Sequence, residues 1–448
     1  MEPLRGDGQT EPVTEATGAV RSREVAGAPI RSFLSALETP RLAWSDATTT
    51  IAAGGEAATV TADGPDRFAA VRSEARRLFD GLVAPDSLPA GARPRLYGGF
   101  AFHEDHADPS QSDTWIGFPG ALFVLPEIQL SLTADGAWLT AVAIGEDAGE
   151  RAAGRVDQWE RRLSVLPELV RSDAPGITVE HPTPSREGWR EQVTDAVAKI
   201  HAGALRKVVL AQELDVELGG PVDVPGALTD LSETYPGCHR FLFEPNGGGI
   251  FFGATPERLV TLRNRTVQTE ALAGSTGRGE TTTEDEWLAS QLRQNEKDVH
   301  EHELVVEAIR DQLAPVAAEV TTGTRTVRRL DTVQHLQTPI RAELAGDEHV
   351  LSLVEALHPT PAVGGLPPDD ALRTIRETEA FDRGWYAAPV GWLDADGDGT
   401  FAVAIRSALA RERAATLFAG AGIVADSDPD EEWDELQLKY GPMRDELE

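Results

Sequence analysis

Apolar residues recur along this chain in two rhythms, short runs that alternate every second position and longer stretches with a helical period, and the two kinds are interleaved. Between residues 29 and about 170, strand-like runs such as RLYGGFAF and GALFVLPEIQLSLT alternate with helical pieces, including Arg151 to Leu166. RSDAPGITVEHPTPSREGW, with its three prolines, reads as a connection, and a helix from Trp189 to His201 follows it. Beyond it, KVVLAQELDVEL carries a Val-Val-Leu run that suggests burial on both faces. FLFEP, GGIFFGATPERLV and RTVQTEALAG come next, each a strand with a tight turn. A long helix is predicted from about Glu284 to Leu313, then strands near TVRRLDTVQHL, GWLDADGDGTFAVAIRSALA and RAATLFAGAGIV, and a last helix opening at Asp428-Pro429. Strands interleaved with helices but without regular βαβ alternation predict an α+β fold with largely antiparallel sheets. Residues 1–28 lack periodicity and are expected to be a loose leader. Residues 29–180 read as scaffold, and 185–448 as the part that carries chemistry.

Several local patterns invite functional readings that their spacing does not support. DADGDGT resembles the start of a calcium loop, but its twelfth position is Ile405 where a bidentate Glu is required, so an Asp-Gly hairpin turn is the better reading. AGAGIV lacks the third glycine and following helix of a dinucleotide fingerprint. His300 and His302 lie two apart on a helix and point in different directions. His302 shares a stripe with Leu292, Val299 and Val306, as a hydrogen-bonded core histidine would.

Three patterns stay open on spacing alone. Glu301 sits on the shoulder of that stripe, where a carboxylate reaches either solvent or a cleft. Glu432, Glu435 and Lys439 share one face of the last helix, either as a salt-bridged surface or as a site. In FAVAIRSALA a continuous strand would point Ala402, Ala404 and Arg406 to one side, leaving room for a ligand carboxylate beside the arginine. The adjacent AGAGIV turn would then present the Gly420 and Gly422 amides. An arginine that merely ends a strand accounts for the pattern equally well.

Composition narrows these options. The 448 residues carry a formal net charge of −33, which disfavours nucleic acid and anionic membranes as partners. Neither a membrane-spanning apolar stretch nor a signal-like N-terminus is present, so a cytoplasmic location is expected. Cys238 is the one cysteine, which excludes an internal disulfide and leaves a structural role as its reading. Of 41 basic residues only Lys199, Lys207, Lys297 and Lys439 are lysines, which makes each a better functional candidate than usual. By itself Lys207 reads as a solvated strand-end lysine.

From Tyr97 onward, and most strongly from Lys207, the chain resembles the chorismate-utilising family, which includes anthranilate, aminodeoxychorismate, salicylate and isochorismate synthases. The resemblance rests on KVVLA, FFGATPERL, TEALAGSTGRG, NEKDVHEHELV, HLQTPI, LHPTPAVGG, FDRGWYAAPVGW, AIRSAL, FAGAGIV and EEWDELQLK, in that order. It implies two large orthogonally packed antiparallel sheets flanked by helices. It also implies Mg2+ held by Glu301 and Glu435, with Glu432 beside them, and chorismate held by Arg406, Lys439, Gly420 and Gly422, with Gly274, Ser275 and His335 lining the pocket. Lys207 resembles the lysine that deprotonates water, and Glu257 the acid that protonates the departing hydroxyl. Ala273 stands where aminodeoxychorismate synthases carry a nucleophilic lysine. The expected activity is therefore that of an isochorismate synthase, for menaquinone or siderophore synthesis, with salicylate synthase and the anthranilate synthase large subunit as alternatives. A monomer without an obligatory glutaminase subunit is expected.

An acidic, lysine-poor surface suits a chain working in concentrated salt, which screens its self-repulsion. Melting temperature and activity are therefore expected to rise as KCl is raised towards molar concentrations; equal values in dilute buffer would remove the halophilic reading.

Overall fold

The computed structural model describes residues 18–85, 87–106, 114–330 and 333–448. Among the described residues the strands form two sheets, of thirteen and ten strands, with helices packed on their faces. Every pairing is antiparallel except that of Gly18–Val25 with Leu82–Val83. Strands from early and late in the chain meet inside both sheets: Arg41–Ser45 pairs with His239–Glu244, and Leu96–Phe100 with Pro389–Leu393. No helix of the described residues is long and apolar enough to cross a membrane.

Several expectations are corrected. Of the stretch read as a leader, residues 1–17 lie outside the described residues. Gly18–Val25 is a strand, registered along its whole length with Gly136–Ile144. Its own pattern is too polar to announce it; its backbone is satisfied by a partner more than a hundred residues away. The proline-rich connection contains a further strand, Ile177–Thr183, paired with Lys207–Leu218. The single long helix is two, Thr282–Gln294 and Glu296–Leu313. Asn295 between them is extended, and its side chain accepts from the amides of Lys297 and Asp298, so it caps the second helix where the first one stops. Asp394–Asp398 does form a hairpin turn between Pro389–Leu393 and Gly399–Val403, with Gly397 at φ 76°. Cys238 is buried and free.

Two of the places where the chain passes from one sheet to the other lie side by side. Ile250–Thr255 belongs to the thirteen-stranded sheet and Arg258–Arg263 to the ten-stranded one, so Pro256 and Glu257 form the crossing. Gly399–Val403 and Ser407–Arg411 make the return journey through Ala404, Ile405 and Arg406. The crossings are tied together: Thr255 Oγ1 donates to the Val403 carbonyl at 2.6 Å, the Val403 amide to the Glu257 carbonyl at 3.0 Å, and the Ala254 amide to the Arg406 carbonyl at 3.1 Å.

Trp385 joins the two layers. Its fully buried ring lies edge-on to Phe118 and Phe243, and it fills the space in which a Cβ on Gly99 would stand only 2.7 Å from the ring. Truncation to Trp385→Ala is expected to cost about 3–5 kcal/mol, the usual range for a buried aromatic, read as a loss of free energy in denaturant unfolding.

Candidate active site

Beside the two crossings lies a cavity of about 260 Å³. All twelve residues singled out from the sequence line it: Lys207, Glu257, Gly274, Ser275, Glu301, His335, Arg406, Gly420, Gly422, Glu432, Glu435 and Lys439. They come from both sheets and two helices. Lys207 opens the strand Lys207–Leu218, and Gly420 and Gly422 lie near the end of its neighbour Ala414–Ile423. Gly274 and Ser275 sit at a bulge in Thr266–Gly277, paired with His335 of Val333–Leu344. Glu301 projects from Glu296–Leu313, which packs on these two strands, and Glu432, Glu435 and Lys439 project from Pro429–Arg444, which packs on Ala414–Ile423.

Two expected placements differ from what is found. Gly420 and Gly422 are in a strand, not a turn, because the strand continues to Ile423 along Lys207–Leu218. Their partners in register are Ala211 and Val209, whose own amides turn away, to Glu379 Oε1 and to the Gly364 carbonyl. These are therefore non-hydrogen-bonded pairs, and the polar backbone of both glycines faces the opposite edge. On that edge the pairing with Ser407–Arg411 ends at Phe418. The Gly420 carbonyl accepts from Lys439 Nζ at 2.6 Å. A Cβ on Gly422 would stand 3.0 Å from Lys207 Cε, so bare backbone here is what leaves room for the lysine.

Arg406 is likewise not on a strand. The strand stops at Val403, and Arg406 has φ 51°, in the left-handed region that L-residues with side chains rarely occupy. The sheet-to-sheet crossing imposes this conformation, and it buries the side chain to 7% exposure. Among the described residues the guanidinium makes no hydrogen bond or ion pair, and burial lowers its pKa. A buried fork with five unspent donors is a site for an anion, above all a carboxylate.

The other cations are partly spent. Lys207 Nζ is 2.7 Å from Glu301 Oε1, and Lys439 Nζ is 2.6 Å from Glu435 Oε1. Burial alone would raise Glu435, but Lys439 beside it holds the carboxyl below its ordinary value. Burial and the neighbouring Glu435 push Glu432 up to about 7; burial, Glu301 and Glu435 push Asp298 up to about 6. His335 is held neutral by burial and by Arg406 and Lys439, at about 3, and its Nδ1 pairs with Ser275 Oγ at 2.8 Å. Glu257 is buried, and burial raises it to about 7, so near neutrality it can still carry a proton.

Glu301, Glu432, Glu435 and Asp298 offer only oxygen donors, the set preferred by a hard divalent cation. Among the described residues no three metal-binding side chains converge closely enough to enclose an ion. The all-oxygen donor set is compatible with a hard cation such as magnesium, which completes its shell with waters and ligand oxygens.

Sequence reasoning missed Lys297, Asp298 and Tyr386, which also line the cavity. The scarcity of lysine was a signal for the first, since three of the four lysines face this one cavity. Tyr386 stood within FDRGWYAAPVGW, and its hydroxyl would touch a Cβ on Gly420 at 3.1 Å.

Residues 19–448 match the family described as "Chorismate binding enzyme". The chain is 37% identical over 414 residues to the "Salicylate biosynthesis isochorismate synthase" of Pseudomonas aeruginosa, covering 92% of this chain and 85% of that one. It is 37% identical over 354 residues to the isochorismate synthase MenF of Bacillus subtilis, covering 78% and 74%. Its fold superposes on that of MenF, the menaquinone-specific isochorismate synthase from Escherichia coli, with a TM-score of 0.80, 26% identity and coverage of 97% and 96%.

The carboxyl of Glu257 is expected to titrate near pH 7. Carboxyl-carbon NMR of glutamate-labelled protein, compared with Glu257→Gln, checks this: the resonance missing from the variant should be the one that shifts near neutrality rather than near pH 4.5.

Proposed function

Because the chain belongs to the chorismate-binding enzyme family, we propose that it converts chorismate to isochorismate, water entering at ring carbon 2 as hydroxide leaves from carbon 4. The observation that carries the proposal is one cavity holding an unpaired buried Arg406, a lysine on one side and on another a buried carboxyl whose pKa is raised to about 7. Chorismate is a dianion, and a protein of charge −33 must assemble positive potential locally to admit it.

In this reading Arg406, Lys439 and the polar backbone of Gly420 and Gly422 hold the carboxylates, and His335, fixed by Ser275 beside Gly274, completes the wall. Lys207 removes a proton from water as the carbon 2–oxygen bond forms, and Glu257 gives its proton to the oxygen leaving carbon 4. One water enters and one leaves, so the reaction is an isomerisation. Glu301 and Glu435, with Glu432 beside them, are the residues that would hold magnesium, which when bound supplies charge neutralisation for the ring carboxylate. Glu301, one of these residues, is also the carboxylate that Lys207 Nζ contacts at 2.7 Å, so a cation held there would compete with the lysine for it. Ala273 puts a methyl group on the wall where a nucleophilic amine would be needed for an amine–ring adduct. Water as nucleophile calls for no ammonia-supplying partner. The product would serve menaquinone or siderophore synthesis.

Purified protein incubated with chorismate and magnesium is expected to give isochorismate, resolved by chromatography, and to give none once the metal is chelated. Lys207→Ala should lower kcat about 10²–10⁴-fold, as for loss of a general base. Salicylate with pyruvate as the products would instead favour a synthase that goes on to eliminate pyruvate, and dependence on added ammonia an amino-transferring one.

A further inference from the structure

Two groups the reaction does not consume are built around it. The first is Thr360, buried to 6% exposure and outside the cavity wall, whose hydroxyl donates to Glu257 Oε1 at 3.2 Å. The second is an ion pair between Glu379 and Arg383, whose side chains are 3% and 1% exposed. A pair so fully removed from water is a poor source of stability and an effective fixer of geometry when every donor and acceptor is used. Here they are used to tie segments together. Arg383 Nε donates to Glu379 Oε2 at 2.8 Å and Nη2 to Oε1 at 2.5 Å. The remaining donors reach the Val363 carbonyl at 2.9 Å and the Val209 carbonyl at 2.8 Å, while Glu379 Oε1 also accepts the Ala211 amide at 2.8 Å. The guanidinium is stacked 4.4 Å over Phe102.

Val209 and Ala211 lie on the strand that begins with Lys207, and Val363 lies in the turn that begins with Thr360. That turn is closed by the Gly364 amide on the Thr360 carbonyl, and it is laced to the strand by the Val209 amide on the Gly364 carbonyl and by the pairing of Gly365 and Leu366 with Val208 and Lys207. Gly365, at φ 141°, comes so near that a Cβ there would lie 2.4 Å from the Lys207 carbonyl.

We propose that Thr360 and the Glu379–Arg383 pair are one positioning device, in which the pair locks the Thr360–Gly364 turn to the strand of Lys207 and Thr360 in turn holds the carboxyl of Glu257. The acid and the base come from different parts of the chain, and this turn is what sets the position of one relative to the other. Thr360, Glu379 and Arg383 are positioning residues, and the inference rests on the roles given above to Lys207 and Glu257. The charged groups facing Glu257 are Glu270 from the ten-stranded sheet, Lys207 from the thirteen-stranded sheet and Arg406 from the neighbouring crossing. The Thr360 hydroxyl favours the ionised carboxyl, so its removal should raise the pKa of Glu257 further.

The test compares Thr360→Val, Thr360→Ser and Glu257→Gln with the unaltered enzyme, by steady-state kinetics with chorismate across the pH range. Thr360→Val should lower kcat roughly 10- to 100-fold, the scale of a misplaced catalytic group, with KM changed less than about twofold. Its alkaline limb of kcat/KM should move to higher pH, and Thr360→Ser should restore both rate and limb. Arg383→Lys should lower kcat too, and the double variant Thr360→Val with Arg383→Lys should lose no more than the worse single one, since both act through one link. Unchanged kcat and pH profile in Thr360→Val, or losses that multiply in the double variant, would overturn the inference while leaving the function intact. Where Arg383→Lys does not fold, the Thr360 variants decide alone. If Glu257→Gln keeps the full pH profile, the acid assignment is wrong and the inference falls with it.

Discussion

Two sheets that share one core can exchange a chain only where the backbone leaves the plane of one layer for the other, and two of this protein's exchanges lie side by side. At a crossing the ladder is interrupted, so a side chain is no longer bound to the in-and-out alternation of a strand. Glu257 occupies one crossing and Arg406 the other, bound to each other's segment through the backbones of Val403 and Ala254. The demand for continuous backbone hydrogen bonding through that junction fixes both residues, and the cavity is what the diverging strands leave open next to them. The left-handed backbone of Arg406 is a cost of the crossing, of order 1–3 kcal/mol, and it places a buried cation where a strand could not.

Electrostatics then divides the labour. Six carboxyl groups and a bare guanidinium line one small cavity, and neither kind of charge is settled without the other or a ligand. Lysines pair with Glu301 and Glu435, while Glu432 and Asp298 are pushed towards protonation by burial and by their neighbours. Such mutual frustration is typical of a site whose balance is completed by what binds it. Glu257 stands apart from this group in its place: it sits at a sheet-to-sheet crossing, and burial is the main cause of its raised pKa.

How much of this was legible in the chain depends on how local each cause is. The last helix announced itself through Asp428-Pro429, and the face bearing Glu432, Glu435 and Lys439 followed from its period. The site residues were legible chiefly through ordered motifs, because Lys207 or Glu301 taken singly looks like an ordinary surface charge. What failed to show was set by distant partners. Nothing in GAVRSREV signals a strand until Gly136–Ile144 lies beside it. The alternation in FAVAIRSALA continued on paper through a point where the chain in fact changes sheets. Asn295 could be read as one more polar residue in a helix, whereas its extended backbone makes it a cap.

The distribution of lysine draws a boundary inside the molecule. Arginine stands almost everywhere a cation is wanted, yet three of the four lysines face a single cavity of about 260 Å³. The two cations are not interchangeable: a guanidinium stays protonated at any pH a protein survives, and its rigid fork is broader than an ammonium on a flexible stem. At Lys207, hemmed in by Gly422 and Glu301, an arginine would be both too wide and unable ever to accept a proton. Whatever excludes lysine from the rest of the chain therefore stops at the cavity wall, and the exceptions to the protein's composition map its chemistry.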